Sequence, residues 1–181
     1  MRLLVSTIFL LMALSMCESS TLKDTCRSVA AGNPSVTYNN CIKTFQADSA
    51  SATAGARGLA AIASRIAEAV ANATSARIAA LRASEKDART RERLGVCAEV
   101  YADAVDQLGE AAEDIARGGD EANQDAVTQL SAALDAPGTC EDAFGEADDA
   151  SPLAPEDAHF TKLATIALAV AASLSPPTIS D

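Results

Sequence analysis

Residues 94–115 read LGVCAEVYADAVDQLGEAAEDI, and this stretch decides the fold class. Core-type residues recur in it at alternating intervals of three and four positions, at Leu94, Cys97, Tyr101, Ala104, Leu108, Ala111 and Ile115. That spacing is typical of an amphipathic helix that packs against its neighbours at a shallow angle. The stretch therefore predicts a long helix within a helical bundle.

The composition of the whole chain favours the same class. Hydrophobic residues make up 49% of the 181 residues, aromatic residues only 3%, and tryptophan is absent. Alanine, which dominates the apolar fraction, is the best helix former and a poor strand former. Since no segment has a convincing strand pattern, we expect an all-α protein.

Four long helical segments with short connections predict an antiparallel up-down-up-down bundle. The first segment has a candidate seam at Leu59, Ile62, Ile66, Ala69, Ala73, Ala76 and Ala80. The four segments have these approximate limits: Ser51 to Arg82; Ser84, as the N-cap, to Arg117; Asp120 to a break around Pro137-Gly138; and Pro155 to a stop at Pro176-Pro177.

A shorter helical hairpin is expected before the bundle. Its arms run from about Leu22 to Ala31 and from Ser35 to Phe45, separated by Gly32 and Asn33-Pro34. Glycine commonly ends a helix and proline commonly begins one. The predicted organisation is a signal peptide at 1–19, the hairpin at 21–47 and the bundle at 48–176.

The N-terminus has the features of an export signal. Arg2 precedes an apolar run over residues 3–14, and small residues follow. The run is shorter than the roughly 20 residues that a membrane span needs. The uncharged stretch 163–177 also falls short of a span and continues a helical seam, so we expect no membrane anchor.

Cleavage of that signal leaves four cysteines, an even number that implies two disulfides in an exported protein. Cys26 and Cys41 lie on opposite arms of the hairpin, close enough to pair, and Cys97 and Cys140 can meet in the bundle, although three pairings are possible in principle. Asn72-Ala73-Thr74 is an N-glycosylation sequon, which is meaningful because export is expected.

Charge is distributed very unevenly. Residues 18–93 carry eleven Lys and Arg against seven Asp and Glu, a net charge of +4, whereas residues 94–181 carry two against eighteen, a net charge of −16. The two halves can neutralise each other within the bundle, or the acidic half can present a face to a basic protein. A net charge of −11 disfavours nucleic acid and anionic membranes as partners.

The sequence has little that could perform catalysis. No Gly-x-Ser-x-Gly motif, phosphate-binding glycine loop or Cys-x-x-Cys pair occurs, and His159 is the single histidine. Adjacent acids such as Glu113-Asp114, Asp120-Glu121 and Asp148-Asp149 are expected to be solvated. The basic stretch from Arg82 to Arg93 has interleaved acids and is expected to be a solvated helix start. We therefore expect no catalytic residue, no metal site and no cofactor.

Four stretches in order carry a family resemblance. They are the Cys26 to Cys41 segment ending in Tyr38-Asn39-Asn40-Cys41; Cys97-Ala98-Glu99-Val100-Tyr101-Ala102-Asp103-Ala104; Ser131-Ala132-Ala133-Leu134 with Thr139-Cys140-Glu141-Asp142-Ala143-Phe144; and Ser151-Pro152-Leu153 before the apolar last helix. With these features the chain, from about Thr25 to Leu174, resembles the plant invertase and pectin methylesterase inhibitor family.

The resemblance implies a four-helix bundle with an N-terminal hairpin, secreted to the plant cell wall or vacuole. It also implies disulfides from the first to the second and from the third to the fourth cysteine. Members of the family form one-to-one complexes with pectin methylesterase or acid invertase and block access to the cleft. For the esterase inhibitors that this chain resembles, the docking surface lies on the exposed face of the second, third and fourth bundle helices.

In this chain that surface corresponds to the exposed acidic faces of the helices within 86–175, and wall esterases are frequently basic. The expected function is therefore inhibition of pectin methylesterase, with acid invertase as the alternative target. Two further classes stay open: a secreted bundle without an enzyme target, and a carrier of a small ligand. The alanine-lined seams argue against a large internal cavity.

Overall fold

The computed structural model describes residues 21–145 and 150–175, and in that part of the chain every regular element is helical. This confirms the all-α prediction. A short 3-10 helix, Ser49–Ala52, separates the hairpin from the longer helices. The α-helices are α1 (21–32), α2 (Tyr38–Phe45), α3 (Ala56–Ser84), α4 (Ala88–Arg117), α5 (Asp120–Leu134), α6 (Ala136–Gly145) and α7 (Ala154–Ala172).

The four-helix bundle consists of α3, α4, α5 and α7. Helix α3 packs against α4 and α7, and α5 packs against the same two helices. Because the links between α3, α4 and α5 are only a few residues long, sequential helices run antiparallel. None of the helices within residues 21–145 and 150–175 is both long and apolar enough to cross a bilayer.

The predicted seam of α4 is the centre of the core. All seven of its residues are buried, including the largest, Tyr101. The Tyr101 ring packs at a tilt against Phe160 of α7, with 5.4 Å between ring centroids. Helix α4 therefore contributes its largest side chain to the contact with the last helix.

The predicted seam of α3 is wrong in its second half. Ala69, Ala73, Ala76 and Ala80 are exposed, and the buried positions there are Ala67, Ala71, Thr74 and Ile78. Twelve of the 29 residues of α3 are alanine, so several faces match an apolar pattern equally well. The burial of Ile78 rather than alanines removes more apolar area from water, and this selects the observed face.

Two predicted helix boundaries are also wrong. Ser84 belongs to the end of α3, and the N-cap of α4 is Asp87, whose Oδ2 accepts the Thr90 amide proton at 2.7 Å. Pro137 does not break a helix. The break comes at Asp135, and Pro137 lies in the first turn of α6, where a missing N–H leaves no helical bond unmade.

The four described cysteines form two disulfides. Cys26–Cys41 joins the arms of the hairpin, and Cys97–Cys140 joins α4 to α6. These are the pairs that the family resemblance implies. The second arm, α2, begins three residues later than predicted because Thr37 caps it, its Oγ1 accepting the Asn40 amide proton.

Candidate protein-docking face

The solvent side of α4 carries an unbroken row of carboxylates. We call this row the acidic stripe; its members are Glu99, Asp103, Asp106, Glu110 and Glu113. They are spaced four, three, four and three residues apart, so they lie on one side of the helix, opposite the buried seam. All five are exposed, and α4 has no Lys or Arg between Arg93 and Arg117.

The acidic stripe is not neutralised by the basic half of the chain. None of its five members forms an ion pair with a residue that the structure describes. Of the arginines on α3, Arg57 donates to the Ile115 carbonyl at the end of α4, and Arg77 pairs with Glu156 of α7. Neutralisation between the halves, one of the two expectations, is therefore seen at Arg77–Glu156 but not at the stripe.

An apolar edge runs beside the acidic stripe. Val96 is 37% exposed and is the one large hydrophobic residue so exposed in the described part of the chain. One turn further along, half-buried Val100 enters a small groove of about 110 Å³ between α4 and the α5–α6 junction. Asp103 of α4 and Asp135, at the break between α5 and α6, line the same groove. Carboxylates thus flank a small apolar surface.

Two contacts fix the geometry of this groove. The Gln129 side chain of α5 donates a hydrogen bond to Glu110 Oε2 at 3.2 Å. The Cys97–Cys140 disulfide holds α6 against α4 at a Cα–Cα distance of 4.6 Å. The covalent contact limits how far α6, which carries part of the groove wall, can move from α4.

A buried polar pair joins α4 to α7 beneath this face. The Tyr101 hydroxyl donates to Asp157 Oδ1 at 2.5 Å, and Asp157 is only 3% exposed. Burial, followed by the hydrogen bond to the neighbouring Glu141 carboxyl, raises the pKa of Asp157 to about 7. Burial, followed by the hydrogen bond to Asp157, raises the pKa of Tyr101, so its hydroxyl remains a donor.

The expectation that adjacent acids are solvated is wrong at Asp114 of the Glu113-Asp114 pair, which is only 7% exposed and pairs with Arg117. The Asp148-Asp149 pair lies outside the described residues. Asp157 is a further buried acid. A sequence signal for its burial exists. Asp157 lies three residues before Phe160, so it extends the predicted α7 seam backwards by one step. His159, by contrast, is exposed. In the described residues no group of three or more His, Cys, Asp or Glu is arranged to hold a metal ion.

Asn72 is exposed in the middle of α3, where its side-chain amide donates to the Glu68 carbonyl at 3.2 Å. Thr74, the third residue of the sequon, is buried, and its hydroxyl donates to the Val70 carbonyl. An attached glycan at Asn72 would thus project from α3 into solvent. Glycosylation of Asn72 stays a prediction.

Comparison of the sequence with known families finds one matching family model. The model described as "Plant invertase/pectin methylesterase inhibitor" matches residues 15–170. A protein named "Putative invertase inhibitor" from Platanus acerifolia is 33% identical over 162 residues, which cover 89% of both chains. A "Pectinesterase inhibitor" from Actinidia deliciosa is 37% identical over 112 residues, which cover 62% of this chain and 57% of that protein.

Solved structures of similar fold come from Arabidopsis. A pectin methylesterase inhibitor from Arabidopsis thaliana superposes with a TM-score of 0.61 at 22% identity, covering 88% of this chain and 99% of that chain. A mutant form of an Arabidopsis pectin methylesterase inhibitor gives a TM-score of 0.63 at 24% identity, covering 75% and 88%. At these identities the likeness concerns the fold.

Proposed function

This chain belongs to the plant invertase/pectin methylesterase inhibitor family, a family of enzyme inhibitors and not of enzymes, and from that premise we propose that it inhibits pectin methylesterase. In the proposed complex, one inhibitor places the α4 face over the substrate cleft of one enzyme molecule. The inhibitor contributes no reacting group. Its effect is steric, because the bound bundle excludes the polysaccharide from the cleft.

The acidic stripe is the observation that carries this proposal. Five exposed carboxylates without ion-pair partners in the described residues create a strong negative potential along one helix. Such a field attracts a basic protein and accelerates association, often by tenfold or more at low salt. Charge therefore brings the two proteins together and sets their orientation.

The apolar edge supplies binding affinity, which the exposed charges alone do not provide. Exposed charges at an interface rim add little affinity, whereas a desolvated apolar centre contributes most of it. Val96 and the half-buried Val100 are placed to form such a centre, with carboxylates around them. The disulfide between α4 and α6 keeps this surface preorganised, which lowers the entropy lost on binding.

Acid invertase is the second candidate target. Its support is the name of the Platanus relatives, which match this chain over 89% and 84% of its length. The charge argument favours the esterase, because wall esterases are frequently basic and the helices on which the esterase inhibitors dock are acidic in this chain.

Parallel titration of the two purified enzymes with the mature inhibitor separates these targets. We expect inhibition of plant pectin methylesterase at lower inhibitor concentration than inhibition of acid invertase, both measured at the same mildly acidic pH. Equal potency, or stronger inhibition of invertase, would overturn the choice of target.

A charge reversal tests the docking face itself. The double variant Asp103→Lys/Asp106→Lys changes the stripe by four charge units, and we expect its association rate with the esterase to fall at least about tenfold at low ionic strength. Added salt should reduce the difference, because the Debye length shortens to about 8 Å at 0.15 M. Surface plasmon resonance at two salt concentrations measures both effects.

The control is Asp24→Lys, which replaces an exposed carboxylate on α1, outside α4; unlike the stripe residues, Asp24 pairs with Arg27 of its own helix. Its association rate should stay near that of the wild type. If Asp24→Lys and the stripe variant lower the association rate by the same factor per unit of charge changed, then net charge, and not the α4 face, guides docking.

The proposed location is extracellular, in the apoplast and cell wall, reached through removal of residues 1–19. That segment lies outside the described residues. Expression of the full chain in plant cells, followed by N-terminal sequencing of the protein from the wall fraction, tests this. A mature N-terminus near residue 18 or 20 supports export. Mass spectrometry of the same sample shows whether Asn72 carries a glycan.

A further inference from the structure

A second surface feature, unrelated to the α4 face, lies between the hairpin and the bundle. It is an open cleft of about 420 Å³, which we call the hairpin cleft. Helices α2, α3 and α7 each contribute residues one helical turn apart, so each presents a continuous strip to it. Its lining residues are Asn40, Lys43, Thr44, Ala47, Ile66, Val70, His159, Lys162, Leu163 and Ile166.

The floor of the hairpin cleft is apolar. Ile66 and Val70 come from α3, and Leu163 and Ile166 from α7. Leu163 is 6% and Ile166 1% exposed, while the two α3 residues are half-buried. A volume of this size with an aliphatic floor falls in the range of small-molecule sites, about 300–1,000 Å³.

The rim of the cleft is cationic. Lys43 of α2 and Lys162 of α7 line it from opposite sides, and His159 lies one turn before Lys162. No acidic residue is among the lining residues. Within residues 21–145 and 150–175, none of these three side chains has an ion pair or hydrogen bond that would neutralise it.

This arrangement is unusual for the chain in which it occurs. The protein carries a net charge of −11, and Lys162 is one of only two Lys or Arg in residues 94–181. Unpaired lysines on opposite walls of an apolar cleft match one ligand chemistry, namely an anionic head group on an aliphatic body. Neither feature is needed for docking through α4, since α4 contributes no lining residue.

We propose that the hairpin cleft binds a small amphipathic carboxylate. The aliphatic body packs on Ile66, Val70, Leu163 and Ile166, and the carboxylate lies between Lys43 and Lys162. Such a ligand would bridge the hairpin and the bundle, and by binding only the folded chain it would stabilise it.

Isothermal titration of the mature protein with decanoate tests the proposal, with decan-1-ol and decyltrimethylammonium as probes of the same chain length. We expect decanoate to bind with a dissociation constant in the micromolar range, decan-1-ol at least about tenfold more weakly, and the cation not at all. Undetectable decanoate binding, or equal binding of the three probes, overturns the proposal.

Methyl NMR locates the site. Decanoate should shift the methyl signals of Ile66 and Ile166 and leave those of Ile78 and Ile115, which lie in the bundle core, unchanged. Shifts spread over all isoleucines would indicate non-specific uptake and refute a defined site.

Charge variants test the rim. Lys43→Glu/Lys162→Glu should weaken decanoate binding by up to about 25-fold, since each exposed charge pair contributes up to about fivefold. The control Lys23→Glu/Lys86→Glu makes the same change in net charge at two exposed lysines outside the cleft and should bind as the wild type does. Equal loss in both double variants would contradict the proposed role of the rim.

Discussion

The buried pair Tyr101–Asp157 predicts that this protein is more stable in mild acid than at neutral pH. Asp157 Oδ1 accepts a hydrogen bond from the Tyr101 hydroxyl. Asp157 Oδ2 and Glu141 Oε1 are both buried and have no described hydrogen-bond donor. Two carboxyl groups within hydrogen-bonding reach can satisfy each other only if one is protonated. The folded state thus retains a proton that the unfolded chain releases.

The sign follows from the direction of the pKa shift. The pKa of Asp157 rises from 3.8 to about 7 on folding, so its contribution is fully present below pH 3.8 and is lost as the pH rises toward 7. One proton gives at most about 1.4 kcal/mol per pH unit, and about 2 to 3 kcal/mol between pH 5.0 and 7.5. Asp87, whose pKa is lowered chiefly by hydrogen bonds from Thr90, acts only in stronger acid.

Urea unfolding followed by circular dichroism measures this difference. With a slope of about 1–3 kcal/mol/M, the midpoint of the wild type should fall by on the order of 1 M between pH 5.0 and 7.5. Asp157→Asn is the informative variant. Its amide still accepts from Tyr101 and can donate to Glu141 without titrating.

We expect Asp157→Asn to lose most of the pH dependence and to be more stable than the wild type at pH 7.5. Tyr101→Phe should lower stability by about 1–3 kcal/mol at pH 5.0, because a buried acceptor loses its donor. The Tyr101→Phe variant should also lose stability with rising pH over a range that reaches higher pH than in the wild type. The reason is that the hydrogen bond from Tyr101 lowers the pKa of Asp157, and its removal lets that pKa rise further. An Asp157→Asn midpoint that still falls by as much as the wild type's would refute the reasoning.

Two further predictions concern the scaffold. Replacing Cys97 and Cys140 by alanine opens a loop with a sequence separation of 43 residues, which should lower the free energy of unfolding by about 4 kcal/mol in urea titrations, and an unchanged midpoint would contradict the chain-entropy account. Gly118, after α4, has a φ of +77°, and a Cβ added to it would lie 3.4 Å from the Arg57 guanidinium. Gly118→Ala should therefore lower the free energy of unfolding by about 1–2 kcal/mol, seen as a lower thermal midpoint. The control Gly32→Ala, at a position with open space and no positive φ, should change the midpoint little.

How far the sequence predicted the fold depended on the size of the residues in each seam. In α4, Leu94, Tyr101 and Leu108 can be buried together in only one helical register, so the predicted seam was confirmed. In α3, alanines occupy every face, and the predicted register failed after Ile66. A small side chain gains little by burial, so it does not specify which face is buried.

The candidate site was predicted only in part. The charge asymmetry indicated an acidic half, but it could not show which carboxylates find ion-pair partners. Among the described residues the stripe has none, while Arg57 and Arg77 bind other groups. The hairpin cleft was not predicted at all. Its lining residues come from three separate helices, and a sequence pattern within one helix says nothing about what faces it.

By itself, the sequence determined the helical class, the number of long helices, the buried face of α4 and the two disulfide pairs implied by the family resemblance, because these follow from local spacing and from motifs. Tertiary structure alone decided the register of α3, the burial of Asp157 and the placement of Lys43 and Lys162 around one cleft. Each of these depends on which surfaces of distant segments come together, and that is settled by the total area buried and the charges paired across the whole bundle.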